Sequence, residues 1–377
     1  MIEKTNKLTD DLNVSNFGHD KKRLNKAFDI NTSVDNEKLK APVDNLKITV
    51  LGLGGGGSNA TRHMHSILEG VDFCCLNTDK QALDLCSNEA KTLLIGPKTT
   101  KGLGSGGDPS LGLAAAKESA SEIQDLVADS DVVFIAAGLG GGTGTGATEQ
   151  TAHIARNMGI LSIAVVTTPF KFEGPQRLAI SQTAATSVSK LVDATILISN
   201  ERLLSFTKQD LTLLEAFELS NNVILNAVQS ISDLIKKPGL INIDFADLCS
   251  VIRNAGISLI SSATASGDLR APTAIENAMH SPLLGEENIE CAKGIIINIT
   301  SSSSLKLSEY QLINNYVQEY IREDTKVILG TSIEEELEDN LKVTVILTGV
   351  DPAKAEEKST TIPVQEHNAS NRRSRFL

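Results

Sequence analysis

The stretch from Gly138 to Thr148, GLGGGTGTGAT, constrains the fold of this chain more than any other segment. It follows the apolar run VVFIAA and precedes EQTAHIARNMG, which is compatible with a helix. Six glycines and three threonines leave few side chains that could pack into a core. Such a loop instead exposes backbone N–H groups at the start of a helix, where anions bind. We therefore predict a strand, an anion-binding loop and a helix in succession.

Two further glycine-rich loops accompany strand-like runs. LKITVL leads into GLGGGGSNA at 52–60, and a polar loop extends from Thr99 to Asp108. Apolar runs alternate with helical patterns along the chain, which indicates an α/β fold with a parallel sheet covered on both faces. Loops at the carboxyl ends of adjacent parallel strands converge on one crevice. Three such loops predict a site for a chain of phosphates, as in a nucleoside di- or triphosphate.

The remaining pattern divides the chain into five parts. A long helical pattern at 212–237 stops at Pro238-Gly239, and a second α/β region follows it. Both ends of the chain are polar, which is typical of flexible segments. The predicted parts are a flexible arm (1–45), a nucleotide-binding α/β domain (46–211), a central helix (212–237), a second α/β domain (238–350) and a short flexible tail (351–377).

Composition excludes several classes of function. The net charge of −12 argues against nucleic acid as a partner, because non-specific binding to phosphates needs a basic surface. The five cysteines show no metal-site spacing and fit free thiols in a reducing cytoplasm. No apolar run approaches the ~18–20 residues of a membrane span, and no signal peptide is evident. We therefore expect only indirect contact with a membrane.

A dinucleotide site is an alternative for the first loop. Gly52, Gly54 and Gly57 match GxGxxG, and Asp79 stands about where an acid would bind the ribose of NAD. A lone GxGxxG is weak evidence, and a dinucleotide site uses one glycine loop rather than three. The P-loop pattern GxxxxGK[ST] is absent, and the two main loops contain no lysine. Backbone amides, hydroxyl groups such as those of Ser58, Thr143 and Thr145, and a metal ion would therefore hold the phosphates.

The motifs resemble those of the tubulin/FtsZ family. GLGGGTGTGAT is similar to its signature loop, and GLGGGGSNA, NTDKQAL, VVTTPFKFEG, NERLL and GLINIDFADL resemble FtsZ segments in order and spacing over roughly 46–350. The resemblance implies a GTPase of the bacterial division ring that binds GTP or GDP, with Mg²⁺ as a cofactor. The nucleotide residues that it implies are Gly54, Gly55, Gly56, Gly57, Ser58, Asn59, Ser105, Gly106, Gly107, Gly141, Gly142, Thr143, Gly144, Thr145, Gly146, Glu173, Arg177, Asn200, Phe217 and Asn222.

The resemblance also implies where hydrolysis occurs. Asp244 and Asp247 would polarise the attacking water and Asn242 would position it, in a site completed by the next subunit of a head-to-tail homopolymer. The carboxylates of Asp244 and Asp247 could also hold Mg²⁺ through water, so no direct metal ligand is predicted. Taken alone, two aspartates at a helix start are as well explained by helix capping. A non-hydrolysing FtsZ-like scaffold is therefore the alternative function.

Two departures from the family pattern affect specificity and partners. FtsZ usually has Asp where this chain has Asn222, and a carboxylate accepts both N–H groups of the guanine edge better than one amide oxygen does. The C-terminal segment only partly matches the family's docking peptide for membrane-tethering proteins. The implied partners are division proteins such as FtsA, ZipA or MinC-like factors, at the mid-cell ring in the cytoplasm.

Overall fold

The computed structural model describes residues 46–86, 90–204, 211–237, 239–241 and 243–350. The predicted arm (1–45) and tail (351–377) lie outside these residues. Within them, no helix is both long and apolar enough to cross a membrane. The five cysteines are free, and Cys74, Cys75 and Cys86 are buried.

Ten strands in the described residues form one sheet, in the order β3-β2-β1-β4-β5-β6-β7-β10-β8-β9. The strands β1 to β7 pair in parallel, β10 runs antiparallel to both β7 and β8, and β9 is parallel to β8. The strands are β1 Ile48–Leu53, β2 Asp72–Asn77, β3 Lys91–Leu94, β4 Val132–Gly138, β5 Leu161–Thr168, β6 Ala194–Ser199, β7 Gly256–Ser266, β8 Gly294–Ser301, β9 Lys326–Ile333 and β10 Asn340–Thr348.

Helices cover both faces of the parallel part, as the continuous apolar runs predict. Alternate residues of one strand enter different cores: Phe134 packs on one face of β4 and Ile135 on the other. The helices are α1 Gly54–His65, α2 Lys80–Asp84, α3 Pro97–Thr100, α4 Pro109–Glu118, α5 Ala120–Val127, α6 Gly142–Met158, α7 Pro175–Val188, α8 Asn200–Leu204, α9 Leu213–Lys236, α10 Phe245–Ile252, α11 Arg270–Met279, α12 Glu286–Ile289 and α13 Leu307–Gln318.

One predicted helix is interrupted. The pattern LAAAKESASEIQDLVA indicates a single helix, whereas α4 and α5 are separated at Ser119, whose φ of −100° and ψ of 25° are not helical. The Ser119 hydroxyl accepts a hydrogen bond of 3.1 Å from the backbone N–H of Gly96. A serine that bonds a neighbouring loop competes with the helical arrangement of its own backbone.

The central helix α9 begins with a capping box. Thr212 Oγ1 accepts a bond from the Glu215 N–H, and the Glu215 carboxylate accepts one from the Thr212 N–H at 2.7 Å. Apolar residues spaced by three or four positions, Ile224, Val228 and Ile231, are buried against the sheet. At 1.5 Å per residue, the helix is about 36 Å long, which spans a whole domain.

Asp233, near the end of α9, gives the chain a specific pH dependence. Burial raises the pKa of Asp233 to about 6, although Lys237 and Lys342 oppose the shift and Glu334 adds to it. The folded chain therefore keeps a proton that an exposed aspartate loses near pH 4, so the free energy of unfolding falls as pH rises through this window. Between pH 5 and 7, we expect the free energy of unfolding of wild type to fall by about 1 kcal/mol more than that of Asp233→Asn.

Urea denaturation at pH 5, 6 and 7 measures this difference. Asp129→Asn is the control, because it makes the same substitution at an aspartate whose side chain is 85% exposed. Equal pH dependence in wild type and Asp233→Asn would contradict the assignment.

Candidate active site

A cavity of about 410 Å³ lies at the carboxyl ends of the parallel strands. Parallel α/β sheets bind ligands at this edge, where the strand-to-helix loops converge. Its lining residues are Gly55, Gly56, Asn59, Ser105, Gly107, Gly138, Leu139, Gly141, Gly142, Thr143, Gly144, Thr167, Pro169, Glu173, Arg177, Asn200, Phe217, Ser220, Asn221 and Ile224. All three predicted glycine loops contribute to it.

The first loop forms the start of α1. Gly54 has a φ of +68°, and a Cβ there would lie 2.7 Å from the backbone nitrogen of Gly144, so only glycine allows the two loops to approach so closely. Gly55, Gly56 and Asn59 line the cavity, whereas Gly57 packs against the Ala136 carbonyl of β4. Ser58 is buried outside the lining, where its carbonyl accepts a bond from the Cys75 thiol.

The signature loop leads into α6, which begins at Gly142. Gly141, Gly142, Thr143 and Gly144 line the cavity and direct the amino end of a 17-residue helix toward it. The next two predicted residues have other contacts. Thr145 Oγ1 accepts a 3.0 Å bond from the Gly140 N–H, and Gly146 packs tightly against α4.

A chain of hydroxyl groups connects the loop at 99–108 to the signature loop at 138–148. Thr143 Oγ1 lies 2.6 Å from Thr78 Oγ1 and 3.0 Å from Ser105 Oγ. Ser105 and Gly107 line the cavity, whereas Gly106, with a φ of +58°, is a turn residue outside the lining. This wall is polar and neutral, so it can donate hydrogen bonds to an anion without a fixed charge.

The opposite wall combines an ion pair with an aromatic ring. Arg177 Nη1 donates to Glu173 Oε2 at 2.7 Å, and these are the charged side chains of the lining. The Asn200 amide oxygen accepts a 2.8 Å bond from the Ser220 hydroxyl. Phe217 is 40% exposed and packs against Phe170 in a T-shaped contact, with ring centroids 5.5 Å apart. The wall therefore fits a planar aromatic ligand next to its polar groups.

Two adjacent asparagines in the third turn of α9 have different surroundings. Asn221 lines the cavity, although it was not among the predicted residues. Asn222 is exposed outside the lining, and its amide oxygen lies 2.7 Å from Nε2 of His63 on α1. The sequence motif alone could not separate neighbours that point 100° apart on a helix. Further lining residues that were not among the predicted site residues are Gly138, Leu139, Thr167, Pro169, Ser220 and Ile224. The first four lie inside the motifs GLGGGTGTGAT and VVTTPFKFEG.

The predicted hydrolytic residues lie beyond the far end of α9. Asp244 and Asp247 are exposed at the start of α10, while Asn242 lies outside the described residues. Asp244 occupies the position before the helix, yet its side chain makes no capping hydrogen bond. Capping therefore does not account for Asp244, and neither carboxylate belongs to the cavity lining.

The comparisons with known proteins identify the family. A model of the tubulin/FtsZ family GTPase domain matches residues 47–208, and one of the FtsZ family C-terminal domain matches residues 256–351. The chain belongs to the FtsZ family. It is a tubulin-like GTPase that binds guanine nucleotide and acts in cell division.

Individual relatives agree with this assignment. Cell division protein FtsZ of Buchnera aphidicola subsp. Baizongia pistaciae is 43% identical over 308 residues, which are 81% of this chain and 80% of that one. FtsZ of Pseudomonas aeruginosa is 44% identical over 82% of this chain and 79% of its own. The structure of an empty FtsZ dimer from M. jannaschii has a TM-score of 0.78 at 38% identity and covers 84% of this chain and 91% of its own.

Asp79, the acidic residue that a dinucleotide site would need, has a structural role. Asp79 caps α2, where its carboxylate accepts bonds from the backbone N–H groups of Gln81 and Ala82 at 2.9 and 3.4 Å. An aspartate used in this way explains the GxGxxG-to-acid spacing without a ribose, and the family assignment agrees.

Proposed function

We propose that this FtsZ-family chain polymerises head to tail and hydrolyses GTP at a site shared between adjacent subunits. The cavity of one subunit holds the nucleotide, and Asp244 and Asp247 of the next subunit act on the attacking water. One observation carries the proposal: the cavity contacts α9 as far as Ile224, whereas Asp244 and Asp247 lie beyond the last residue of that helix, Lys236. At 1.5 Å per residue, the intervening part of the helix is about 18 Å long, so a monomer keeps the cavity and the carboxylates apart.

The cavity supports nucleotide binding without a lysine. Backbone N–H groups of Gly55, Gly56 and Gly141–Gly144 would hold the phosphates, assisted by the helix dipoles of α1 and α6. Ser105 and Gly107 would approach the γ-phosphate. Glu173 and Arg177 would contact the ribose side, and Phe217 would stack on the base.

The donor set of the cavity fits a Mg²⁺ ion that arrives with the nucleotide. Hydroxyl and amide oxygens of Asn59, Ser105 and Thr143 are neutral ligands, and Mg²⁺ usually keeps several waters while it binds phosphate oxygens. Among the described residues, no cluster of His, Cys, Asp or Glu could hold a metal by itself. When bound, the ion would neutralise phosphate charge, and Asp244 and Asp247 of the next subunit could contact it through water.

Exposed apolar side chains at the two ends support head-to-tail contact. Phe172, Leu213 and Leu214 are exposed near the cavity. Leu240, Ile241 and Leu307 are exposed at the other end and form what we call the lower patch. The lower patch follows one edge of the sheet, since Ile241 bonds Thr331 of β9, and the end of β8, where Ser301 pairs with Ile333 of β9, precedes Leu307 in the chain. A contact between unlike faces that does not close produces a filament.

The cellular context follows from the same proposal. Filaments of this chain would form the ring at the division septum, inside the cytoplasm. Tethering and regulatory proteins of the FtsA, ZipA or MinC type would connect the ring to the membrane and control it.

Phosphate release measured together with light scattering tests the function. We expect GTP, but not GDP, to raise scattering, phosphate to appear, and scattering to decay once GTP is consumed. Stable scattering without phosphate release would contradict the proposal and favour the non-hydrolysing scaffold.

The two asparagines provide a matched pair for base recognition. Asn221→Asp places a carboxylate in the cavity wall, where it can accept both edge N–H groups of guanine. We expect the preference for GTP over ATP to rise roughly tenfold, the equivalent of one charge-assisted hydrogen bond. Asn222→Asp should change the preference for GTP over ATP less than twofold, because the Asn222 side chain contacts His63.

Competition of GTP and ATP against a fluorescent GDP analogue would measure the relative affinity of both variants for the two nucleotides. A gain in Asn222→Asp without one in Asn221→Asp would assign the base edge to Asn222 instead.

A further inference from the structure

Lys237, the residue that follows α9, joins two acidic side chains from different parts of the fold. Its Nζ lies 3.1 Å from Asp233 Oδ1 on the last turn of α9 and 2.8 Å from Glu334 Oε1, directly after β9. Asp233 is nearly buried, with 8% of its side chain exposed, and Glu334 is 22% exposed. The pairs are therefore better shielded than a surface salt bridge.

Glu334 is itself fixed to its surroundings. Gln229 of α9 donates a second bond to Glu334 Oε1 at 3.2 Å, and the Glu334 N–H donates to the Ser301 carbonyl at 3.0 Å. The last two turns of α9 are thus linked by charged hydrogen bonds to the edge formed by β8 and β9.

The segment after Lys237 lies against the same edge. The Ile241 N–H donates to Thr331 Oγ1 at 3.0 Å, and Gly239 approaches the Thr331 carbonyl too closely for any side chain. Asp244 follows three residues later and immediately precedes α10, which packs through Leu248 and Ile252. The segment that leads into Asp244 and α10 is therefore held against the β9 edge at two points on its N-terminal side, Lys237 and Ile241.

We propose that Lys237 is a positioning residue for GTP hydrolysis, which acts through Glu334 to hold the segment that leads into Asp244 and into α10, whose first turn carries Asp247. This inference rests on the proposed shared site. Lys237 touches neither the cavity nor the two carboxylates in its own subunit. Its contribution is geometric, and a displacement of reacting groups by about 1 Å can cost a factor of 10² in rate.

Three substitutions test the Lys237 bridge, by which we mean the ion pairs of Lys237 with Asp233 and Glu334. Glu334→Gln removes the charge on the β9 side but retains the buried Asp233–Lys237 pair, so the fold should be preserved. Lys237→Met removes both pairs and leaves Asp233 buried without its cation, which costs stability as well. Lys237→Arg keeps a cation that can reach both carboxylates.

The experiment measures phosphate release per sedimented subunit, with GTP affinity measured separately on dilute protein. For Glu334→Gln and Lys237→Met we expect turnover per sedimented subunit to fall about tenfold, while GTP affinity stays within twofold of wild type. Lys237→Arg should restore at least half of the wild-type turnover. Lys47→Met is the matched control, because Lys47 has similar exposure (43% against 41%) and also pairs with two carboxylates.

Three results would overturn the proposal. These are wild-type turnover in Glu334→Gln, a loss fully explained by less sedimented protein, or failure of Lys237→Arg to restore turnover. Asp247→Ala in the same assay separates this test from the proposed function. If Asp247→Ala keeps wild-type turnover, the shared site itself is wrong, whatever the Lys237 variants do.

Discussion

Asp247→Ala should reduce GTP turnover by roughly 10³-fold while leaving GTP affinity within twofold of wild type, because a positioned acid–base group contributes factors of 10² to 10⁴. Asp247 is exposed in the first turn of α10 and contacts no part of its own subunit's cavity. Its removal therefore leaves nucleotide binding intact and affects only the completed site. Asp244→Ala should behave similarly, at little cost in stability, since Asp244 makes no capping bond.

Steady-state phosphate release above the assembly concentration, with GTP affinity measured on dilute protein, checks this prediction. Glu122→Ala is the matched control, because Glu122 is also an exposed acid in the first turn of an eight-residue helix. Both substitutions remove the same favourable interaction with a helix dipole. Loss of GTP affinity in dilute Asp247→Ala would instead place this residue at its own subunit's nucleotide.

Leu240→Glu should prevent assembly at protein concentrations where wild type polymerises. Leu240 is 60% exposed in the lower patch, so a glutamate is tolerated in the monomer but becomes buried and unpaired in a filament. A penalty of about 3 kcal/mol for such a charge raises the critical concentration roughly 100-fold. Turnover should fall with it, because the shared site no longer forms.

Sedimentation over a range of protein concentrations gives the critical concentration. Leu85→Glu is the control, since Leu85 is 69% exposed near the end of α2 and belongs neither to the lower patch nor to the exposed apolar residues near the cavity named above. An unchanged critical concentration in Leu240→Glu would exclude the lower patch from the filament contact.

The sequence specified the fold class because its strongest signals are local. Continuous apolar runs such as VVFIAA become buried strands, and the capping box of Thr212 and Glu215 defines the start of α9. The break at Ser119 could not be foreseen, because it depends on a bond from Gly96, 23 residues away. Local propensity does not report such a tertiary contact.

The sequence motifs located the cavity and named most of its lining residues, but they did not separate lining glycines from packed ones. Glycine enrichment marks both the residues that face a ligand, such as Gly55, and those that permit close packing, such as Gly57 and Gly146. Both uses require the absence of a side chain, so composition cannot separate them. The Lys237 bridge was missed for a related reason, since its partner Glu334 is 97 residues away in the chain.

In the proposed shared site, one subunit supplies the nucleotide and the next supplies the carboxylates. GTP turnover per subunit, measured as a function of protein concentration at saturating GTP, tests this arrangement. We expect almost no turnover in dilute protein and a steep rise where light scattering begins. A turnover per subunit that stays constant down to concentrations at which sedimentation finds only monomers would contradict it.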